Sequence, residues 1–183
     1  MKIRSALAAL ATLISLGTIG VGLTSPAQAV ETKTSGTAQV AVSGDFIKIV
    51  NDHADKCADV TNSSTTPGAL IQEWDCTGAT AQSFRPIDVG NGFFQLINRN
   101  SALCMVVEFS FGDRVHQKVC NSAATGQWWH WVVANSNGGL FLASGFPNQC
   151  LNLVPNTSKN GTPIVTRGCS GTNSAALWHA ESA

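Results

Sequence analysis

Short apolar or alternating segments recur along the chain after residue 45, and residues that favour turns separate them. The main segments are 46–50, 70–74, 92–97, 114–119, 129–133 and 140–142. None of them keeps an apolar period of 3.6 residues long enough for a helix of several turns, so they predict short β-strands. Clusters of Asn, Ser, Thr and Gly between them predict the connecting turns. The pattern therefore indicates an all-β domain.

The same arrangement of residues occurs three times, at intervals of forty-four to forty-nine positions. Each copy has two cysteines and, at fixed distances from them, apolar residues, a glycine and a β-branched residue. Eight positions before the first cysteine are Ile49, Leu96 and Leu142, and three after it are Val60, Val107 and Leu153. Eight positions before the second cysteine are Gly68, Gly112 and Gly161, and five before it are Ile71, Val115 and Ile164. This agreement indicates an internal repeat.

One copy of about four short strands is too small to bury its own apolar face, so the copies are expected to close around a pseudo-threefold axis. We place the repeats at about 45–87, 88–134 and 135–183. Each copy ends with a Gln-x-aromatic step or its remnant. The last aromatic of each step is expected in a shared core; these residues are Phe84, Trp129 and Trp178.

The N-terminus has a basic start with Lys2 and Arg4, an apolar run over 6–23 and a small-x-small sequence at 27–29. These features predict a secretory signal peptide over 1–29, although the apolar run approaches the length of a membrane anchor. Residues 30–44 are rich in Thr, Ser, Gly and Ala and predict a flexible leader. The remaining 45–183 fits one domain, and the protein is expected to be secreted, with no membrane contact once the signal is removed.

Charge argues against nucleic acid as a partner. The chain has 11 basic and 11 acidic residues, and removal of the signal would take away two basic residues, leaving a net charge near −2. Such a chain has no basic surface that could displace counterions from phosphates.

All six cysteines lie after residue 45, and an exported compartment permits disulfides. Six cysteines allow fifteen pairings, but two cysteines in each of three copies favour pairing within a copy. The expected bonds are Cys57–Cys76, Cys104–Cys120 and Cys150–Cys169. No pair of cysteines or histidines has the spacing of a metal site, so no metal and no cofactor is predicted.

The first copy contains Cys-Ala-Asp-Val at 57–60, Ile-Gln-Glu-Trp-Asp-Cys at 71–76 and Gln-Ser-Phe at 82–84. In this order and spacing they resemble the ricin-B-type lectin domain, a β-trefoil that binds carbohydrate, and the resemblance covers about 45–183. It implies an all-β trefoil of three pseudo-repeats with a disulfide in each. It also implies a sugar ligand of the galactose or xylose type.

A sugar ring presents neighbouring hydroxyls and an apolar face, so a site in water needs fixed acceptors and a flat aromatic side chain. By the resemblance, Asp59 bonds the sugar hydroxyls and Trp74 stacks on the ring. Gln72 adds a polar contact, and Gln82 steadies the aspartate. Ala81 departs from the family, which usually has a sugar-bonding asparagine at this position, so we expect weak binding.

Two structural interpretations compete with this site. Asp59 could cap a turn, and Trp74 could simply pack. Strand alternation, however, places Gln72 and Trp74 on the face opposite Ile71 and Glu73, which favours an exposed indole.

The second and third copies are expected to keep the fold without the site. Val106 and Lys118 replace the aspartate and the tryptophan in the second copy, and Asn152 and Arg167 replace them in the third. Neither pair offers a carboxylate beside an aromatic ring.

We therefore predict a secreted, non-enzymatic carbohydrate-binding protein with one sugar site. The alternative is a trefoil that binds protein or inhibits a protease and retains a relic of the sugar site, because a fold does not fix a function. A small hydrolase is disfavoured, since the acidic residues show no pair of carboxylates arranged across a cleft.

Overall fold

The computed structural model describes residues 45–134, 138–170 and 174–183. The predicted signal peptide (1–29) and leader (30–44) lie outside them. The described residues form twelve β-strands and short 3-10 turns, with no α-helix. The strands are β1 (Ile47–Asn51), β2 (Lys56–Val60), β3 (Ile71–Asp75), β4 (Phe84–Gly90), β5 (Phe93–Asn98), β6 (Cys104–Val106), β7 (His116–Lys118), β8 (Trp129–Val133), β9 (Leu140–Ser144), β10 (Cys150–Leu153), β11 (Thr162–Arg167) and β12 (Trp178–Ser182). The predicted all-β trefoil is confirmed.

Each repeat contributes four strands, of which the outer two form a barrel and the inner two form a hairpin. Antiparallel pairing joins β12 to β1, β1 to β4, β4 to β5, β5 to β8 and β8 to β9, and β9 contacts β12. The hairpins are β2–β3, β6–β7 and β10–β11. The first repeat extends to the end of β4 at Gly90, slightly past the expected boundary near residue 87.

The core repeats with the same threefold pattern as the sequence. Four sets of equivalent side chains are buried to 1% exposure or less, and they come from the positions that the repeat identified. The sets are Ile49, Leu96 and Leu142; Val60, Val107 and Leu153; Ile71, Val115 and Ile164; and Phe84, Trp129 and Trp178. The expected aromatic core is thus confirmed, and this shared apolar burial stabilises the fold.

The three hairpins also meet one another at the axis. Each hairpin pairs with the hairpin of another copy through its second half. The two paired positions are the same in all three cases: six residues before the second cysteine in one copy and four before it in the other. The pairs are Leu70 with His116, Arg114 with Val165, and Pro163 with Gln72. Every hairpin therefore pairs with the hairpin of a neighbouring repeat.

All three disulfides form within a repeat, as expected: Cys57–Cys76, Cys104–Cys120 and Cys150–Cys169. Each ties the first strand of a hairpin to the end of the second. Among the residues described, no helix has the length and apolar character needed to cross a bilayer.

Candidate carbohydrate-binding site

The predicted site residues of the first repeat lie on one face of the β2–β3 hairpin. Antiparallel pairing sets Asp59 opposite Gln72 and Cys57 opposite Trp74. Directly opposed residues share a face of the sheet, so the carboxylate of Asp59 and the indole of Trp74 point to the same side. Gln72 Nε2 donates a hydrogen bond to Asp59 Oδ1 at 3.2 Å.

Asp59 is 9% exposed. Burial raises the pKa of its carboxyl, while hydrogen bonding to the amides of Gln72 and Gln82 lowers it in part. A carboxylate held in this way keeps its remaining lone pairs for hydroxyl donors. Hydrogen bonds from hydroxyls to a carboxylate are shorter and stronger than neutral ones.

Trp74 is 39% exposed, which is unusual for the largest apolar side chain. One edge of its indole lies next to Gly161 of the third repeat, where an added Cβ would stand 4.0 Å from Cζ3. The ring is thus supported from the side and accessible to solvent, as a stacking platform requires. The interpretation of Trp74 as a packed core residue does not fit this exposure.

Gln82 holds the turn that follows β3. Its Nε2 donates to the carbonyl of Asp75 at 2.8 Å, and its Oε1 accepts the backbone N–H of Thr77 at 2.8 Å. Gln127 makes the equivalent bonds to Val119 and Asn121 in the second repeat. The glutamine of the Gln-x-aromatic step therefore secures a turn in both repeats, and in the first it also acts on Asp59.

Ala81, which stands in place of the family's asparagine, is completely buried. Its carbonyl accepts a hydrogen bond from Asn98 Nδ2 at 2.9 Å. A methyl side chain here offers no donor to a ligand, so a bound sugar would lose one hydrogen bond, worth on the order of 1 kcal/mol.

A groove lies at the loop end of this hairpin. It has a volume of about 680 Å³ and is lined by the segment from Thr61 to Leu70, which contains six consecutive polar residues. Thr61 donates its backbone N–H to the carbonyl of Leu70 at 3.0 Å, so this pair extends the ladder beyond Asp59 and Gln72. Hydroxyl and amide side chains of this kind suit a polar ligand.

The equivalent face of the second repeat is occupied by charged side chains. Glu108 pairs with Lys118, which replaces the tryptophan, and lies 3.5 Å from His116 Nε2. Val106, which replaces the aspartate, is buried. This face has neither a carboxylate nor an aromatic ring at the equivalent positions.

In the third repeat, Asn152 pairs with Val165 and Cys150 pairs with Arg167. Asn152 is a neutral acceptor, and Arg167 is exposed in the place of the indole. At the positions equivalent to Asp59 and Trp74, the structure thus places a carboxylate beside an indole in the first repeat and in neither of the others. That these residues bind a sugar stays a prediction.

A contact between repeats supports the site and was not anticipated from the sequence. Asn160 in the third repeat donates from Nδ2 to Asp75 Oδ2 at 2.7 Å and accepts the backbone N–H of Asp75 at 3.0 Å. Lys56 donates to Asn160 Oδ1 at 2.9 Å and forms an ion pair with Asp75. The sequence signal for this contact is Gly161, which belongs to the glycine position shared by all three repeats. The residue before it, Asn160, lies beside the β2–β3 hairpin.

Comparisons with known proteins agree with the fold. The model of the ricin-type β-trefoil lectin domain-like family matches residues 37–118. No curated protein matches the chain.

Solved structures with the same fold include a designed threefold-symmetric protein, ThreeFoil (24% identity, 74% of this chain and 96% of that chain, TM-score 0.69). Another is the ricin B-like lectin of Macrolepiota procera in complex with lactose (19% identity, 77% of this chain and 97% of that chain, TM-score 0.65). A third is the exo-β-1,3-galactanase from Clostridium thermocellum (20% identity, 77% of this chain and 31% of that chain, TM-score 0.69). This chain therefore spans less than a third of the length of the galactanase.

The resemblance inferred from the motifs of the first repeat is thereby supported: the model of the ricin-type lectin-like family matches the part of the chain that carries those motifs, and the described residues have the β-trefoil fold of these structures. The solved structures, which are 24% identical to this chain or less, show its fold and nothing further.

Proposed function

We propose that the protein is a secreted, non-enzymatic carbohydrate-binding protein with one sugar site, formed by Asp59, Gln72, Trp74 and the groove beside them. The observation that carries the proposal is that the Asp59 carboxylate and the exposed Trp74 indole share a face of one hairpin. The carboxylate would accept two neighbouring hydroxyls, and the indole would cover the apolar face of the ring.

The ligand is a neutral sugar of the galactose or xylose type. Galactose is supported by the lactose complex of the Macrolepiota lectin, a protein with the same fold. Because Ala81 leaves one hydrogen bond unmade, affinity for a single sugar should be several-fold weaker than with a donor there. Tight retention would need several sites held together on one surface.

Titration of the purified protein with galactose, lactose and xylan, followed by tryptophan fluorescence and calorimetry, tests the proposal. Asp59→Asn keeps the shape of the side chain but removes its charge, and should weaken binding by roughly tenfold or more. Asn152→Ala, at the equivalent position of the third repeat, is the matched control and should leave binding unchanged. Absence of binding by all three sugars, or equal binding by wild type and Asp59→Asn, would reject the site.

A second candidate function is protein binding, and one feature favours it. Phe109 and Phe111 are 71% and 60% exposed in the loop between β6 and β7. Phe109 lies edge-on to Phe146, with ring centroids 5.3 Å apart. Exposed aromatic side chains of this kind are typical of protein interfaces.

Protease inhibition assays with wild type and Phe109→Ser/Phe111→Ser distinguish the two functions. Inhibition that the double substitution removes, in a protein that binds no sugar, would support the second candidate. Sugar binding that survives the double substitution would support the first.

A further inference from the structure

The three hairpins are held against neighbouring repeats by one equivalent backbone hydrogen bond. In each repeat the donor is the N–H of the glycine that stands eight residues before the second cysteine. The acceptor is the carbonyl of a strand residue in another repeat, three residues before the second cysteine of that repeat. The bonds are Gly161 to Glu73 (2.9 Å), Gly68 to Gln117 (2.7 Å) and Gly112 to Thr166 (2.8 Å). The accepting residues are therefore equivalent, and all three are completely buried.

Gln117 shows how a side chain at this position is satisfied. Its Nε2 donates to the carbonyls of Ser64 at 2.8 Å and Thr66 at 3.1 Å, four and two residues before Gly68. Its Oε1 accepts from the hydroxyl of Ser101 at 2.7 Å. The amide thus fastens the loop of the first repeat to the second hairpin.

Glu73 occupies the equivalent position without equivalent bonds. Among the described residues, no group has the geometry of a hydrogen bond to either carboxylate oxygen, although the hydroxyl of Thr162 is near enough to influence the pKa of Glu73. Thr157 and Lys159 stand four and two residues before Gly161, so the threefold relation predicts that their carbonyls lie near Glu73 as those of Ser64 and Thr66 lie near Gln117. Ala54 stands in the place of Ser101 and has no hydroxyl to donate.

An ionised carboxylate facing carbonyl oxygens is unfavourable, because both are acceptors. A protonated carboxyl has one O–H donor and can make a bond that resembles one made by Gln117. A protonated Glu73 would compete with Thr162 for the carbonyl of Lys159, because Thr162 Oγ1 already donates to that carbonyl at 2.6 Å.

Electrostatics point in the same direction. Burial raises the pKa of Glu73 to about 7, and the charge of Lys56 and the nearby hydroxyl of Thr162 lower it only in part. The strands that pair with Glu73 carry Lys56 and Asp59 on β2 and Arg167 on β11, β3 itself carries Asp75, and Lys159 lies in the loop before β11. Lys56 is already engaged by Asp75 and Asn160, which limits its attraction for Glu73.

The position of Glu73 links this loop to the proposed sugar site. Glu73 lies between Gln72 and Trp74 on β3 and pairs with Thr162 of β11. An added Cβ at Gly161 would stand 3.9 Å from Gln72 Oε1 and 4.0 Å from the ring of Trp74. The same loop therefore packs against the side chains that would hold the sugar.

We propose that Glu73 is a positioning residue that makes carbohydrate binding at Asp59 and Trp74 dependent on pH. With its proton, Glu73 holds the 157–162 loop against β3. When the proton leaves to solvent, the contact loosens and the supports of Gln72 and Trp74 shift. This inference rests on the proposed function.

The first experiment measures the dissociation constant for lactose, with soluble xylan as a second probe, between pH 5.5 and 8.5. If the protonated form alone binds well, wild-type affinity falls by up to roughly 30-fold at pH 8.5, in proportion to the protonated fraction. Glu73→Gln should keep its affinity constant over this range, because the amide donates at every pH. Asp45→Asn, which removes an exposed carboxylate at the start of the domain, should follow wild type. An alkaline decline that persists in Glu73→Gln, or no decline in wild type, would overturn the proposal.

The second experiment needs no ligand and separates failure of this inference from failure of the proposed function. Hydrogen exchange of the Gly161 amide, corrected for intrinsic rates, should lose protection above pH 7 in wild type and not in Glu73→Gln. The amides of Gly68 and Gly112 are internal controls and should not lose protection. If no sugar binds but Gly161 behaves in this way, the sugar site fails and the coupling of Glu73 to the loop stands. If the protection of Gly161 does not depend on pH, the coupling itself is wrong.

Discussion

Gln72 donates a hydrogen bond to Asp59 across strands β2 and β3, so the amide that can contact a ligand also fixes the carboxylate that would bind it. This bond favours the ionised carboxylate and lowers the pKa that burial raises. A sugar hydroxyl donates a stronger hydrogen bond to the ionised carboxylate of Asp59 than to its protonated form, so binding should weaken at acid pH, below the pKa of Asp59.

Gln72→Ala should therefore weaken sugar binding and move its acid limit to higher pH, because the pKa of Asp59 rises when the bond is lost. Loss of one neutral hydrogen bond between Gln72 and the sugar costs on the order of 1 kcal/mol, or roughly several-fold in affinity. Calorimetric titration with lactose between pH 3.5 and 6.5 measures both effects. His116→Ala, the equivalent change in the second repeat, should alter neither. An unchanged acid limit in Gln72→Ala would show that the bond does not control Asp59.

Trp74→Ala should abolish measurable sugar binding while leaving the fold nearly as stable as wild type. The indole is partly exposed, so its removal leaves no closed cavity in the core, and we expect a loss of stability of about 1 kcal/mol. Saccharide titration measures binding, and urea unfolding measures stability. Arg167→Ala in the third repeat is the matched control. A loss of several kcal/mol would mean that Trp74 is a packing residue and would favour the structural interpretation.

The sequence predicted the parts of this molecule that repeat. Apolar residues at constant distances from the cysteines became threefold sets of buried side chains, and each cysteine paired within its own copy. Alternation on β3 also placed Gln72 and Trp74 correctly on the face opposite Ile71 and Glu73. These features follow from local periodicity, which a single sequence records.

The contacts between repeats could not be predicted in the same way. Asn160 supports Asp75 from 85 positions away, and its role depends on the register between β3 and β11. Glu73 reads as an ordinary polar residue of a strand, yet the third repeat buries it completely. Its environment is set by a departure from symmetry, because the residues around it differ from those around Gln117.

Glu73 should make the folded state less stable as pH rises. Its pKa is raised from 4.5 to about 7 by burial, so below pH 4.5 the residue is protonated in both the folded and unfolded states and carries no penalty. Between pH 4.5 and 7 the unfolded state ionises first, and the relative stability of the folded state falls. Above pH 7 the penalty reaches on the order of 2–3 kcal/mol.

Glu73→Gln removes this penalty. It should resemble wild type at pH 4 and be more stable by on the order of 2 kcal/mol at pH 8. Urea unfolding at pH 4, 6 and 8 gives the difference directly, with Asp45→Asn as the variant that should show no such trend. A stability gain in Glu73→Gln that is the same at all three pH values would contradict the assignment of a raised pKa.

His179 should have the same sign of pH dependence for a different reason. Its Nδ1 lies 2.6 Å from Asp52 Oδ1 and its Nε2 lies 3.3 Å from Glu181 Oε1, so it joins the last strand to the turn after β1. Burial lowers its pKa, but hydrogen bonds and charge attraction from Asp52 and Glu181 outweigh this effect and raise the pKa overall.

The imidazolium form therefore stabilises the fold below the unfolded pKa near 6.5, and the contribution is lost as pH rises through the higher folded pKa. Because the side chain is 41% exposed, solvent screening limits the contribution to roughly 0.5 kcal/mol. His179→Gln should be less stable than wild type by about this amount at pH 5.5 in low salt, with little difference at pH 8.5 or in ~1 M salt. His53→Gln, which removes a contact to the uncharged hydroxyl of Ser174, is the control. Equal destabilisation of His179→Gln at both pH values would show that packing, rather than charge, accounts for its effect.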